Sequence, residues 1–196
     1  MKRFITLSCL LLASSVATPA PADSPPKTIA TSPIWSQTVA FTLPSGFVTK
    51  WEKTSGDHYQ REAVPSGQTV DEWTQMVTVT GEKGLATVKG ATPLIFAEEI
   101  AKGFKKACPG SFNTKALEGD WVPGYKTFAA VVSCGQSPMT NGATTETAAI
   151  VVIAGKKDYY TIQYATRTKP PSASPIDLDT AAWTARLKRL MPMSVT

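Results

Sequence analysis

The strongest constraint on the fold lies between residues 148 and 164. Ala148 to Ala154 is an unbroken apolar run rich in Ile and Val. It is too short to cross a membrane as a helix and reads as a central strand covered on both faces. Gly155-Lys156-Lys157-Asp158 then supplies a turn, after which Tyr160, Ile162 and Tyr164 alternate with period two. The two segments predict a β-hairpin, and a hairpin this apolar needs partner strands beside it and helices over it.

Other segments supply those partners. Trp35, Gln37, Val39, Phe41 and Leu43 fall on one face of a period-two stretch. Pro44-Ser45-Gly46 turns the chain into a return strand from Phe47 to Lys53, and residues 58–64 read as a third strand closed by Pro65-Ser66-Gly67. A short helical turn is expected over Val70 to Trp73, and Met76 to Thr80 is rich in β-formers. Residues 82–91 read as a loop or weak hairpin. Thr92-Pro93 marks a helix start, with Ala97, Ile100, Ala101, Phe104 and Cys108 at helical spacing and Pro109-Gly110 as the stop. Phe112 to Glu118 and the alternating Phe128, Ala130, Val132 and Cys134 add two more strands. After a Pro/Ser connector from Thr168 to Ala173, Ser174-Pro175-Ile176-Asp177 resembles a capping arrangement. Trp183, Leu187, Leu190 and Met191 then form a helical stripe. The order predicts one α+β domain, a mainly antiparallel sheet flanked by two principal helices.

The first 22 residues stand apart from this domain. Lys2 and Arg3 precede an apolar stretch from Phe4 to Ala13, and Ala20-Pro21-Ala22 has the small-x-small form of a cleavage site. Prolines 19, 21, 25 and 26 argue against a buried helix there. A secretory signal cut between Ala22 and Asp23 is expected, with a cut after Ala17 as the alternative. Cys9 lies inside the apolar stretch and does not suit lipidation. The chain thus divides into a signal peptide (1–22), a flexible lead-in (23–33) and the domain (34–192), with no transmembrane segment in the mature chain. Export would be to a periplasm or to the outside of the cell.

Export bears on charge and on cysteine chemistry. The chain carries a formal net charge of +5 and a pI near 9.1. Loss of Lys2 and Arg3 lowers the charge to +3. The remaining cations are scattered among 15 acidic residues, apart from Lys102/Lys105/Lys106 and Arg186/Lys188/Arg189, which sit where helices end. Nucleic acid is therefore not an expected partner, whereas weak attraction to an anionic envelope surface is compatible with this balance. Of three cysteines, Cys9 leaves with the signal. Cys108 and Cys134 remain as an even pair that an oxidising compartment would join as a disulfide.

Reactive groups are few. His58, in Asp57-His58-Tyr59, is the only histidine, and no Gly-x-Ser-x-Gly elbow accompanies it. Neither a zinc set nor a calcium loop is apparent, and the phosphate-cradling and dinucleotide-binding glycine motifs are missing, so no cofactor or metal is expected. Glu98-Glu99 and Asp177/Asp179 fall in expected first turns of helices, and Glu118/Asp120 and Asp71-Glu72 border turns. All read more readily as solvated caps than as a glycosidase pair. Trp35, Trp73 and Trp183 lie on periodic faces and are expected in the core. Trp51 and Trp121, with Tyr59 and Tyr125 nearby in sequence, suit either a groove or the capped ends of the sheet.

The layout resembles a known group. Phe41-x-Leu43-Pro44-x-Gly46-Phe47, a strand ending in Val77-x-Val79, a helix, antiparallel strands with Asp158-Tyr159-Tyr160 near a turn, and a closing amphipathic helix are similar to the PsbP/Mog1/DcrB-like group over residues 34–192. The resemblance implies an antiparallel sheet flanked by helices and an accessory or binding role, and it transfers no catalytic residues. The expected function is an exported non-catalytic accessory or binding protein of the cell envelope, its partner an envelope protein or surface component. The alternatives are a carrier of a small apolar ligand held between sheet and helices, and a secreted hydrolase using His58 or a carboxylate pair.

Overall fold

The structure, a computed structural model, describes residues 28–196. The expected signal peptide, the Ala22/Asp23 cleavage site, Cys9 and the first residues of the lead-in lie outside the described residues. In chain order the elements are β1 (Thr28–Ile34), β2 (Gln37–Leu43), β3 (Phe47–Ser55), β4 (His58–Pro65), β5 (Gln75–Glu82), α1 (Pro93–Ala107), β6 (Phe112–Leu117), β7 (Lys126–Cys134), β8 (Thr145–Ala154), β9 (Tyr159–Thr168), α2 (Thr180–Lys188) and β10 (Ser194–Val195). Short 3-10 turns occupy Leu85–Thr87 and Pro138–Thr140. The strands form a seven-stranded sheet in the order β3-β4-β5-β9-β8-β7-β6 and a three-stranded sheet in the order β1-β2-β10. Every pairing is antiparallel. The fold is α+β in a single domain.

The β8–β9 hairpin lies inside the large sheet, with Val151 opposite Ile162 and Ile153 opposite Tyr160. Its alternation feeds two cores. Ala149, Val151, Ile153, Tyr160, Ile162 and Tyr164 point to the side covered by the small sheet and α2. Ala148, Ile150, Val152 and Ala165 point to the side where α1 packs with Ala97, Ile100, Ala101 and Phe104. A strand buried on both faces needs no polar face, which is why this run is unbroken. Each fully buried Val or Ile contributes roughly 1.5–3 kcal/mol of transfer free energy.

The helix over this hairpin has clear limits. Thr92 Oγ1 accepts from the Ile95 N–H at 3.2 Å, Pro93 stands in the first turn, and Lys105 and Lys106 lie in the last. These are an N-cap, a donor-free first position and cations at the negative end of the helix dipole.

Several boundaries differ from expectation. Residues 28–33, expected as lead-in, form most of β1, which pairs along its whole length with β2. Pro33 is tolerated because β1 is an edge strand. Trp35 was expected in the same strand as Phe41 but occupies the β1–β2 turn at φ 52°. Its ring packs where a side chain on Gly81 would stand, 2.9 Å from the Cβ position, so the absence of that side chain admits the indole. The domain also runs past residue 192, because β10 pairs with β2. The 70–73 segment is an irregular loop. The second helix is capped by Asp179, whose Oδ1 accepts from the Ala182 N–H at 3.0 Å. Asp177 instead pairs with Lys115 at 2.9 Å. Glu98 and Glu99 fall beyond the first turn of α1, and Glu99 pairs with Lys102 at 2.6 Å on the surface.

Candidate functional site

Helix α1 packs on β6, β7 and β8, so the same face of the large sheet continues past it across β9, β5, β4 and β3. Register assembles that open half. Trp51 stands opposite Glu62 and Lys53 opposite Gln60. Glu62 in turn stands opposite Thr78, Gln60 opposite Thr80 and His58 opposite Glu82. Thr78 then meets Gln163 and Thr80 meets Thr161. Directly opposed residues share a face, so these form one polar surface backed by the apolar core on the reverse side. At one end of it, Trp73 from the 66–74 loop closes over Val64 and Met76. Exposure grades across the surface, from Trp51, 37% exposed on the rim strand, to Thr161 on β9, which is fully buried.

The side chains of this surface hold one another. His58 Nδ1 lies 2.6 Å from Glu82 Oε1, and Nε2 lies 3.3 Å from Gln60 Oε1. Gln60 Nε2 donates to Glu62 Oε1 at 2.6 Å. The Thr80 and Thr161 hydroxyls meet at 2.7 Å, and Gln163 Nε2 donates to Thr161 Oγ1 at 2.9 Å. Burial pushes the Glu62 carboxyl above its ordinary value, with the Asp71 carboxylate adding to the rise. The bond from Gln60 and the Arg167 charge oppose it. Arg167 is itself fixed, stacked on Trp73 at 4.0 Å and paired with Glu146 at 3.0 Å. The result is a pre-arranged array of donors and acceptors with an aromatic edge, suited to recognition with little loss of side-chain freedom on binding.

The candidate catalytic groups fall into this pattern or away from it. The ring nitrogens of His58 face Glu82 and Gln60, and among the described residues no hydroxyl or thiol is one of their partners. Asp71, Glu72, Glu98, Glu99, Glu118, Asp120, Asp177 and Asp179 are all exposed. Among the described residues, no three His, Cys, Asp or Glu side chains cluster as a metal site. No helix there is long and apolar enough to cross a membrane. Cys108, just after α1, and Cys134, at the end of β7, are brought together with Cα atoms 5.8 Å apart, within the usual range for a disulfide. Trp73 and Trp183 are buried and Trp35 is partly so. Trp121, together with Tyr59, is buried in the core beneath the small sheet, while Trp51 remains at the surface.

Sequence reasoning did not single out Gln60, Glu62, Thr78, Thr80, Glu82 or Gln163. Their signal is an alternation: polar side chains at 78, 80 and 82 are interleaved with the buried Val77, Val79 and Gly81. Such a strand has one face without an apolar cover.

No family model matches the sequence, and no curated protein matches it significantly. Solved structures are similar in fold. The Ran-binding protein Mog1p of Saccharomyces cerevisiae is 12% identical, with a TM-score of 0.49 over 85% of this chain and 93% of that one. The cyanobacterial PsbP of Synechocystis is 12% identical, with a TM-score of 0.43 over 76% of this chain and 85% of that one. Both belong to the group that the sequence layout resembles, and at this identity the likeness is one of fold.

Proposed function

We propose that the chain is an exported, non-catalytic binding protein of the cell envelope whose protein partner docks on the open half of the large sheet. The observation that carries this reading is the polar array of β3, β4, β5 and β9 beside α1, which among the described residues is part-exposed from Lys53 to Gln163, closes inward on the buried Thr80 and Thr161, and is rimmed by Trp51. A lone polar surface residue is ordinary, whereas two hydrogen-bonded groups spread over the neighbouring strands β4, β5 and β9, with a large aromatic on the adjoining edge strand, have the make-up of a recognition surface. Engagement of both His58 nitrogens within that array supports a binding role over a hydrolytic one.

A photo-activated cross-linker placed at Lys53 or Thr78, in the protein expressed in its own cells, tests this. It should capture one envelope protein that the same probe at Lys105, on the outer side of α1, does not. Equal capture from both positions, or capture of nothing while the purified protein turns over a substrate, would remove the reading. Sequencing of the mature N-terminus should begin at Asp23, and a chain that keeps residues 1–22 would contradict export through this signal.

A further inference from the structure

On the opposite side of the large sheet, the two sheets part and leave a cleft of about 900 Å³. It lies where the turns at residues 43–46 and 65–66 meet the end of α2. Backbone hydrogen bonds fix its frame. Ser66 N–H donates to Gly46 O at 2.7 Å, and Phe47 N–H donates to Pro44 O at 3.1 Å. Thr42 holds the chain just after α2 twice, through its N–H to Leu190 O at 2.9 Å and its Oγ1 to Met191 O at 2.7 Å. These bonds set Lys188 and Arg189 on the wall of the cleft.

The chemistry of that wall is one-sided. Among the described residues, Lys188 and Arg189 line the cleft and no Asp or Glu does. Among the described residues, neither these two cations nor the neighbouring Arg186 has a carboxylate within salt-bridge distance. Cations suit the last turn of a helix, but that preference does not explain why they gather on a cleft free of acids. Beside them lie apolar and aromatic surfaces, with the Phe47 and Tyr164 rings 6.5 Å apart and Leu43 adjacent. Gln75, which accepts the Tyr164 hydroxyl bond, also lines the cleft.

We propose that this cleft binds an extended acidic peptide segment of a partner protein. Its carboxylates would meet Lys188 and Arg189, and its apolar side chains would lie against Leu43 and Phe47. An inorganic anion would use the cations and leave the apolar wall idle. The site lies on the other face of the sheet from the polar array and stands or falls separately from it.

The test is fluorescence anisotropy of the mature protein with a labelled hexapeptide alternating Leu and Glu, beside its Leu/Lys counterpart. The acidic peptide should bind, the basic one should not, and raising the salt concentration should weaken binding. Lys188→Glu with Arg189→Glu should lower affinity at least tenfold. Lys105→Glu with Lys106→Glu, the same change of net charge on α1, should leave it within twofold. If the cleft pair impairs folding, Lys188→Gln with Arg189→Gln replaces it, with a thermal melt as control. Equal losses from the two pairs, equal binding of the two peptides, or full displacement by phosphate at matched ionic strength would each overturn the proposal.

Discussion

Gly135 follows β7 and is hydrogen-bonded to the long connector that precedes α2. Its N–H donates to Ser111 O at 3.1 Å, and its carbonyl accepts from Ser172 N–H at 2.8 Å. A Cβ at this position would stand 2.2 Å from Ser172 O, 2.9 Å from Ser111 Cβ and 3.0 Å from Ser174 O. The nearest of these atoms is backbone and has no rotamer by which to move aside. Gly135→Ala must therefore push the connector off the sheet. Overpacking costs about 1–3 kcal/mol, and the broken Ser172 bond about 1 kcal/mol more. A loss near 3 kcal/mol lowers the midpoint of a domain this size by about 6–12 °C. Thermal and urea unfolding followed by circular dichroism measure it, with Gly103→Ala as the internal control. Gly103 lies inside α1 with open space at its Cβ position, so alanine there should stabilise by about 0.5–1 kcal/mol. A Gly135→Ala protein that unfolds at the wild-type midpoint, or a more damaging Gly103→Ala, would refute this account of the connector.

Other expectations follow from the same geometry. Joining Cys108 to Cys134, 26 positions apart, stabilises by about 3.5 kcal/mol in the chain-entropy model; reduction should lower the unfolding midpoint accordingly, and two freely titrating thiols in the untreated protein would contradict the bond. Trp51→Ala should change stability by no more than about 0.5 kcal/mol while weakening partner binding by about 2 kcal/mol, measured by calorimetry once the partner is in hand. Glu62 has a raised folded-state pKa, so its contribution is favourable below the ordinary glutamate value and is lost as pH rises through the folded one. Glu62→Gln should therefore gain stability relative to wild type on going from pH 4 to pH 7, and a constant difference between the two would refute the burial argument.

The elements legible in the sequence are those whose own residues determine them. The β8–β9 hairpin is set by an apolar run, a Gly/Lys/Asp turn and strict alternation, and α1 by its cap and stop. The β1–β2 hairpin was hidden because Trp35-Ser36 has no turn chemistry, and the indole is held by a gap over Gly81 that only the folded sheet creates. The start of α2 differs from expectation because Ser174 and Asp179 are both good caps, and only in the fold does Asp179 meet the Ala182 N–H while Asp177 pairs with Lys115. The polar face followed the same logic. Its alternation was visible strand by strand, but the alignment of His58, Gln60 and Glu62 with Thr78, Thr80 and Glu82 exists only once register is fixed. Which half of the sheet α1 leaves open is likewise a matter of packing that spacing does not encode.

The central claim, that the open half of the large sheet takes a protein partner, is tested most directly by native mass spectrometry on protein isolated gently from its own cells, wild type beside Trp51→Ala. The account predicts a defined complex with one co-purifying protein for wild type, and a bare chain from Asp23 to Thr196, two hydrogens light, for the variant. Identical spectra from the two proteins, whether a bare chain or an equally populated complex, would contradict it.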